Sequence, residues 1–380
     1  MKLTEGMTAR RRFSRLGLGL LLMCVVQQGA AFAIAFAGQA WAPWLLRTDW
    51  FLLAANFAPL YLLGFPVLLL LFRTVPDLPA PWAAPSVQSP VPPGLPPDHA
   101  ALQSMPNAVP GLNPDPGPRL FAVPVSPLYP YASCPPTPEP YPAPPPLPLK
   151  EAEKRAIPPA ALVGLTLAGF LLMYIGNIVS TVLNFLIAQI KGEEVTNPIL
   201  AMGEGSNPWV MLAVLVFLAP LTEEYVFRKL LYRKLGGYGF GIYALCSATV
   251  FAMYHMNLSQ MIYAFLLGLL FAGVMYYSKQ IRYTILLHMS LNLFGGWVPL
   301  VLIDRMGMQE AALVTGMITI LLAAGGAVSI VLLSQKRQQI RREMPLLRMP
   351  KPTAVEILAN PGIILLLIAL VAMTVVSILM

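Results

Sequence analysis

The sequence predicts an all-α, polytopic bundle of about eight to nine transmembrane helices, interrupted by a disordered proline-rich cytoplasmic loop. Three observations lead there. The 380-residue chain is 57% hydrophobic and only 11% charged, with a mean hydropathy of +0.67, too apolar a balance for a soluble domain. Its apolar residues fall in nine runs, most of them near the ~20 residues that cross about 30 Å of hydrocarbon. Its basic residues cluster between alternate runs, as topology set by Lys and Arg requires.

The first run, 16–41, follows the basic RRRFSR segment. A twin-arginine signal peptide ending at AFA or GQA has the same pattern, but the run is long for a signal and further spans follow, so it is read as the first helix. With the run 51–72 it makes an N-terminal helical pair over residues 1–75. Residues 76–155 form the loop: 26 of the 39 prolines lie there, and neither helix nor sheet ladder propagates through such a density. Its PYPAPPPLP stretch suits a proline-recognising partner, whereas a spacer needs none. The KEAEKR segment at 150–155 is expected to open the third helix as a solvated turn. Runs 159–190, 209–231, 240–256, 261–277, 283–303 and 311–333 make up the core, residues 156–335. Small residues such as Gly268 and Ala272 let its helices approach closely. A basic segment and the last run, 363–380, close the chain over 336–380. No internal repeat is visible, so an inverted-repeat transporter gains no support.

Placing the N-terminus in the cytoplasm puts 22 of the 25 Lys and Arg residues on that side and leaves Arg47, Lys191 and Arg305 outside. The N-terminus and the proline-rich loop are then cytoplasmic, and the expected location is a cell membrane, as in a bacterial plasma membrane. The bilayer is thus the first partner, and the basic run from Lys336 to Lys351 also suits anionic headgroups. The +8 net charge reflects topology and does not call for nucleic acid. Cys24, Cys134 and Cys246 show no paired spacing, which predicts neither a disulfide nor a thiolate metal site.

Against this apolar background Glu223 and Glu224 stand out as acidic residues well inside a span. A charge at that depth costs roughly 2.5–3.5 kcal/mol on insertion scales, and something must offset it. The other Glu-Glu pair, Glu193 and Glu194, has no Arg four residues on and falls in a predicted turn. Of three histidines, His99 lies in the proline-rich loop, while His255 and His288 lie in the fifth and seventh runs. On a helix, positions i and i+4 share a face, so Arg228 can reach Glu224 and Asn292 points with His288. Counting about 1.5 Å per residue from the cytoplasmic ends puts Glu223 about 18 Å deep, His288 about 9 Å, Asn292 about 15 Å and His255 about 22 Å. His255 fits the others only if its helix is tilted or short. Pro220 is expected to kink the fourth helix just before the glutamates, with water or a neighbouring helix satisfying the freed carbonyl.

A carboxylate, two imidazoles and an amide in a membrane cavity suit peptide hydrolysis. That reaction needs a base to activate water, donors for the developing oxyanion and an acid for the leaving amine. The stretches EEYVFR, FAMYH and HMSLN resemble, in order, the EExxxR, FxxxH and HxxxN motifs of the intramembrane glutamic endopeptidases related to the CAAX prenyl protease, the CPBP family that includes bacteriocin-processing and abortive-infection-like proteins. The resemblance covers roughly residues 209–297. It implies that Glu223 and His255 activate the water, that His288 and Asn292 form the oxyanion hole, and that Glu224 and Arg228 give electrostatic support with Phe251 shaping the wall. It implies no cofactor, no metal, and a substrate that is a membrane peptide, a bacteriocin precursor or a prenylated protein.

Other chemistries leave different marks. There is no HExxH and no GxSxG. Cys246, nine residues before His255, lies about 180° around a helix from it, a poor place for a nucleophile. Zinc held by His255, His288 and Glu223 is formally open. Glu224 with Arg228 would serve, taken alone, as an ion pair pinning helices, and His288 with Asn292 as hydrogen-bond glue, which a non-enzymatic immunity protein or scaffold could retain. A proton-coupled transporter could use Glu223 and the histidines as a relay.

Overall fold

The computed structural model describes residues 7–45, 48–78, 154–195, 207–336, 338 and 350–379. His99, Cys134, nearly all of the proline-rich loop and most of the basic run after Lys336 lie outside the described residues. The described residues form helices, and no strand occurs among them. Residues 1–84 and 150–380 form one compact unit.

Helix α1 spans Ala9–Trp41, its N-terminus capped by the Thr8 hydroxyl, which accepts from Arg11 N–H. Helix α2 runs from 49 to 73 as Asp49–Pro59, a π-helical turn at Leu60–Gly64, and Phe65–Arg73. Helix α3, Pro159–Lys191, ends at Gly192 in the left-handed conformation, φ +81°. It does not begin at KEAEKR. Arg155 precedes it as extended chain whose N–H donates to Ser278 O at 3.0 Å, because the Pro158-Pro159 pair holds the preceding residues out of the helical region and supplies a proline at the first turn. Helix α4 is Pro208–Tyr238, α5 Phe240–Tyr254, α6 Leu258–Ser278, α7 Ile281–Met306 and α8 Met308–Gln335. A short α9, Ala354–Leu358, leads into α10, Pro361–Leu379.

Seven of these helices are long and apolar enough to cross a membrane: α1, α3, α4, α6, α7, α8 and α10. Two apolar helices are shorter, Phe57–Arg73 within α2 and the 15-residue α5. The chain is therefore a multi-pass membrane helical bundle. At about 1.5 Å per residue α5 reaches only some 22 Å, so its C-terminal end at His255 stops short of a full crossing.

The basic side chains gather at one end. The Arg12 guanidinium donates to Pro76 O, Lys234 Nζ lies 2.6 Å from Asp77 Oδ1, and Leu78 N–H donates to Arg233 O at 2.8 Å. These contacts tie the start of α1 and the end of α2 to the end of α4. Lys279 Nζ lies 4.7 Å from the Tyr232 ring centre and so brings the α6–α7 turn to the same end. Lys191 marks the other end, donating to Ile378 O at 3.2 Å.

Packing is close where small residues meet. A Cβ on Gly268 would stand 2.8 Å from Ala248 Cα, so only glycine lets α6 lie this near α5, and Ala272 one turn on is fully buried. This is the close approach expected from those two residues. Gly362 of α10 lies against the Ser14 carbonyl of α1 in the same way. Cys24 and Cys246 are free thiols.

Candidate active site

The two glutamates sit where α4 is least regular. It is π-helical at Leu212–Leu218 and again at Glu224–Leu230, with Ala219–Glu223 between. Pro220 accounts for the first distortion. Ala219 N–H donates to Val214 O, five residues back, and the next bond in that register would join residue 220 to Leu215 O. Proline has no N–H to give. The orphaned Leu215 carbonyl instead accepts from Asn292 Nδ2 at 2.8 Å, so the neighbouring helix satisfies the group that Pro220 frees. The predicted kink takes the form of a π-helical break, and such breaks are common at functional sites. Carbonyls of the second π segment are met by α5: Ser247 Oγ donates to Phe227 O at 2.6 Å and Tyr243 Oη to Arg228 O at 3.3 Å.

Replacing Asn292 with Ala should therefore cost about 1–3 kcal/mol, the cost of a buried carbonyl without a partner. In a Pro220→Ala background the backbone can supply its own N–H, and the same substitution should cost much less. Thermal unfolding of the four proteins in detergent measures the difference. Equal costs in both backgrounds would rule out this account of Asn292.

Glu223 and Glu224 are adjacent on α4 and face the same imidazole from its two sides. His288, 5% exposed, donates from Nδ1 to Glu224 Oε1 at 3.0 Å, while its Nε2 stands 3.8 Å from Glu223 Oε2. Their surroundings differ sharply. Glu224 is fully buried, with Arg228 Nε 3.2 Å from its Oε2 and the Thr284 hydroxyl in reach. The Glu223 side chain keeps 28% of its surface. Arg228, also fully buried, places its guanidinium carbon 4.2 Å from the Phe251 ring centre and 5.3 Å from that of Phe271. Its contact with Glu224 is an ion pair without hydrogen-bond alignment, so the two rings carry part of the stabilisation of this charge. Phe251 thus does more than shape a wall: it stacks under Arg228 and sets its edge-on ring against His255 at 5.0 Å and His288 at 5.8 Å.

His255 caps α5, and its Nδ1–H donates to Phe251 O at 2.9 Å. That bond leaves the Nε2 lone pair as the free acceptor. Glu223 lies within Coulombic range of His255, with no direct hydrogen bond between them. The hydroxyls of Tyr61, Tyr254 and Tyr263 share that range. Tyr61 on α2 bonds Thr222 Oγ1 at 2.9 Å, and Tyr254 donates to Gln27 of α1. The N-terminal pair therefore walls the site, which no motif in the sequence indicated. Cys246 lies elsewhere, lining an apolar cavity among α1, α4, α5 and α10.

Residues 205–294 match the family model for Rce1-like type II CAAX prenyl endopeptidases. The resemblance read from EEYVFR, FAMYH and HMSLN is thereby borne out, and all three stretches fall inside the Rce1-like segment. The match supports a CAAX-type intramembrane protease, a hydrolase acting on peptide in a bilayer. No curated protein and no solved structure matched the chain. Among the described residues no group of three or more His, Cys, Asp or Glu side chains is arranged to hold a metal ion.

Proposed function

We propose that this protein is an intramembrane glutamic endopeptidase, working without metal, that hydrolyses a peptide bond of a membrane-associated protein or peptide. The observation that carries the proposal is the division of labour around His288. Glu224, buried and paired with Arg228, holds one ring nitrogen, while the half-open Glu223 faces the other.

Glu223 is the general base. A water lying between its carboxylate and His255 Nε2 loses a proton to Glu223 as its oxygen bonds to the scissile carbonyl carbon. His288 Nε2–H and the second N–H of the Asn292 amide stabilise the oxyanion. With Nδ1–H already given to Glu224, donation from His288 Nε2 requires a proton on each ring nitrogen, as in the imidazolium. The intermediate collapses with cleavage of the C–N bond, and the proton held by Glu223 passes to the leaving amine. Peptide and water are consumed, and acid and amine leave with every proton accounted for.

The substrate is a prenylated C-terminus of the CAAX type, a bacteriocin precursor or a regulatory membrane peptide. The basic end is cytoplasmic, in a bacterial plasma membrane. Incubating the purified protein with a prenylated-peptide library and an unprenylated membrane-peptide library, with and without a chelator, tests this reading. Cleavage that survives chelation is expected, and the preferred library names the substrate class. Loss of cleavage on chelation would shift the mechanism to zinc. A folded protein that cuts neither library would favour an immunity protein or scaffold.

A further inference from the structure

The outer half of α3 carries polar residues on one face: Asn177, Ser180, Thr181 and Asn184 follow the i, i+3, i+4, i+7 pattern. With Ser259 of α6 and Glu194 they line a cavity of about 550 Å³ at the end of the bundle away from the basic cluster. A 33-residue helix is about 50 Å long, well beyond the ~30 Å of a hydrocarbon core. The polar face of α3 therefore leads from the far interface inward.

Two of its groups lack a protein partner. Ser180 is 2% exposed, and its Oγ makes no hydrogen bond. Thr166, Ser290, Ser329 and Thr374 in the spans each donate to the carbonyl four residues back, at 2.8–3.0 Å, whereas Ser180, like Thr315 of α8, makes no such bond. Asn184 donates to Ser259 Oγ at 2.9 Å, but its Oδ1 is buried without a donor. A polar, roomy cavity with unpaired groups in its wall is where ordered water belongs.

Polar groups continue from this cavity toward Glu223. Next to Ser259, Gln260 donates to Tyr263 Oη at 3.1 Å and accepts from Asn257 at 2.6 Å, and Asn257 also donates to His255 O at 2.7 Å. Gly176, one turn before Ser180, lets Tyr263 lie flush against α3, where a Cβ would come within 2.5 Å of Tyr263 Cα. Tyr263 in turn lies in Coulombic range of Glu223.

We propose that this cavity is an aqueous vestibule, open at the end opposite the basic one, and that it delivers the hydrolytic water to Glu223 past Gln260 and Tyr263. The delivery half rests on the protease reading above; the vestibule itself does not.

The test uses the full chain in lipid vesicles, in a Cys24→Ala, Cys134→Ser, Cys246→Ala background. Cysteine is placed at Ser180 or Asn184, and at Val182, which faces outward from the same helix at 52% exposure. A charged, membrane-impermeant methanethiosulfonate should modify the first two at least about tenfold faster than the third. It should do so from the side opposite that which labels a Thr74→Cys variant at the basic end. Equal rates at positions 180 and 182 would overturn the vestibule. Asn184→Leu and Gln260→Leu in the unlabelled chain should lower kcat severalfold with KM little changed. Wild-type turnover in both leucine variants would overturn water delivery. A parent chain that cleaves no peptide would remove the protease reading and the delivery role with it, while the labelling rates would still decide the vestibule.

Discussion

Glu223→Gln is expected to remove hydrolysis while leaving the protein folded. Exchanging the carboxylate for an amide of the same shape takes away the base, and loss of a general base typically costs about 10²–10⁴-fold in rate. The fold should tolerate the change because this side chain is 28% exposed, and its nearest basic contact is His288 Nε2 at 3.8 Å, too long for a hydrogen bond. His255→Ala should give a comparable loss, since its free Nε2 would hold the same water. Groups acting on one water are not additive. The Glu223→Gln/His255→Ala double variant should thus be little slower than the worse single one. A double variant showing the product of the two losses would mean that the residues serve separate steps. Retained hydrolysis in Glu223→Gln would end its assignment as base.

A non-enzymatic scaffold predicts a different pattern. There the cost of each substitution would follow burial alone: Glu224 and Arg228 at 0% exposure would matter, and Glu223 would not. A proton-coupled transporter would lose flux in Glu223→Gln but would never have cut a peptide. Activity and stability measured on the same variants therefore separate the three.

Much of this arrangement was legible in the residues. A carboxylate in an apolar run demands compensation, so Glu224 with Arg228 four places on marked its own partner, and the scarcity of histidine made His255 and His288 conspicuous. The hydropathy of the chain likewise marked the helices. The kink at Pro220 was legible, but its π-helical form was not, because treating each helix as a regular 100° rotor hides a change of register. Between the π-helical segments at 212–218 and 224–230, Glu223 and Glu224 face the two nitrogens of one imidazole, an arrangement that regular spacing, which only separated them by about 100°, did not show. Asn292 was read as sharing a helix face with His288, and a neighbouring helix was one of the two partners expected for the carbonyl that Pro220 frees, but that Asn292 would be the donor to Leu215 O is recorded by no motif. The polar face of α3 escaped notice for another reason. Asn, Ser and Thr scattered every three or four residues scarcely lower the hydropathy of a run, and their meaning appears only when they line one cavity.

The largest effect on stability is expected from Arg228. Arg228→Met would leave the Glu224 carboxylate buried with His288 as its remaining basic partner, and breaking a buried pair by removing one member costs about 3–5 kcal/mol. The misaligned ion pair makes a further prediction possible. Its three guanidinium nitrogens make no hydrogen bond and depend on the rings of Phe251 and Phe271, so the pair gains less than an aligned one for the same desolvation. Removing both charges in Glu224→Leu/Arg228→Met should then restore most of the lost stability. Denaturant or thermal unfolding in detergent reports that recovery. Activity should not return with it, because His288 would have lost the carboxylate that holds Nδ1. A double variant that is stable but inactive would identify Glu224 as a positioning residue acting through His288. Glu224→Gln would check this from another side, since an amide keeps a hydrogen bond to Nδ1 without the charge, and its hydrolysis should fall between that of the parent and that of the double variant. A double variant both stable and fully active would reduce the Glu224–Arg228 pair to a helix pin. One as unstable as Arg228→Met alone would show instead that the stacked guanidinium itself holds α4 against α5 and α6.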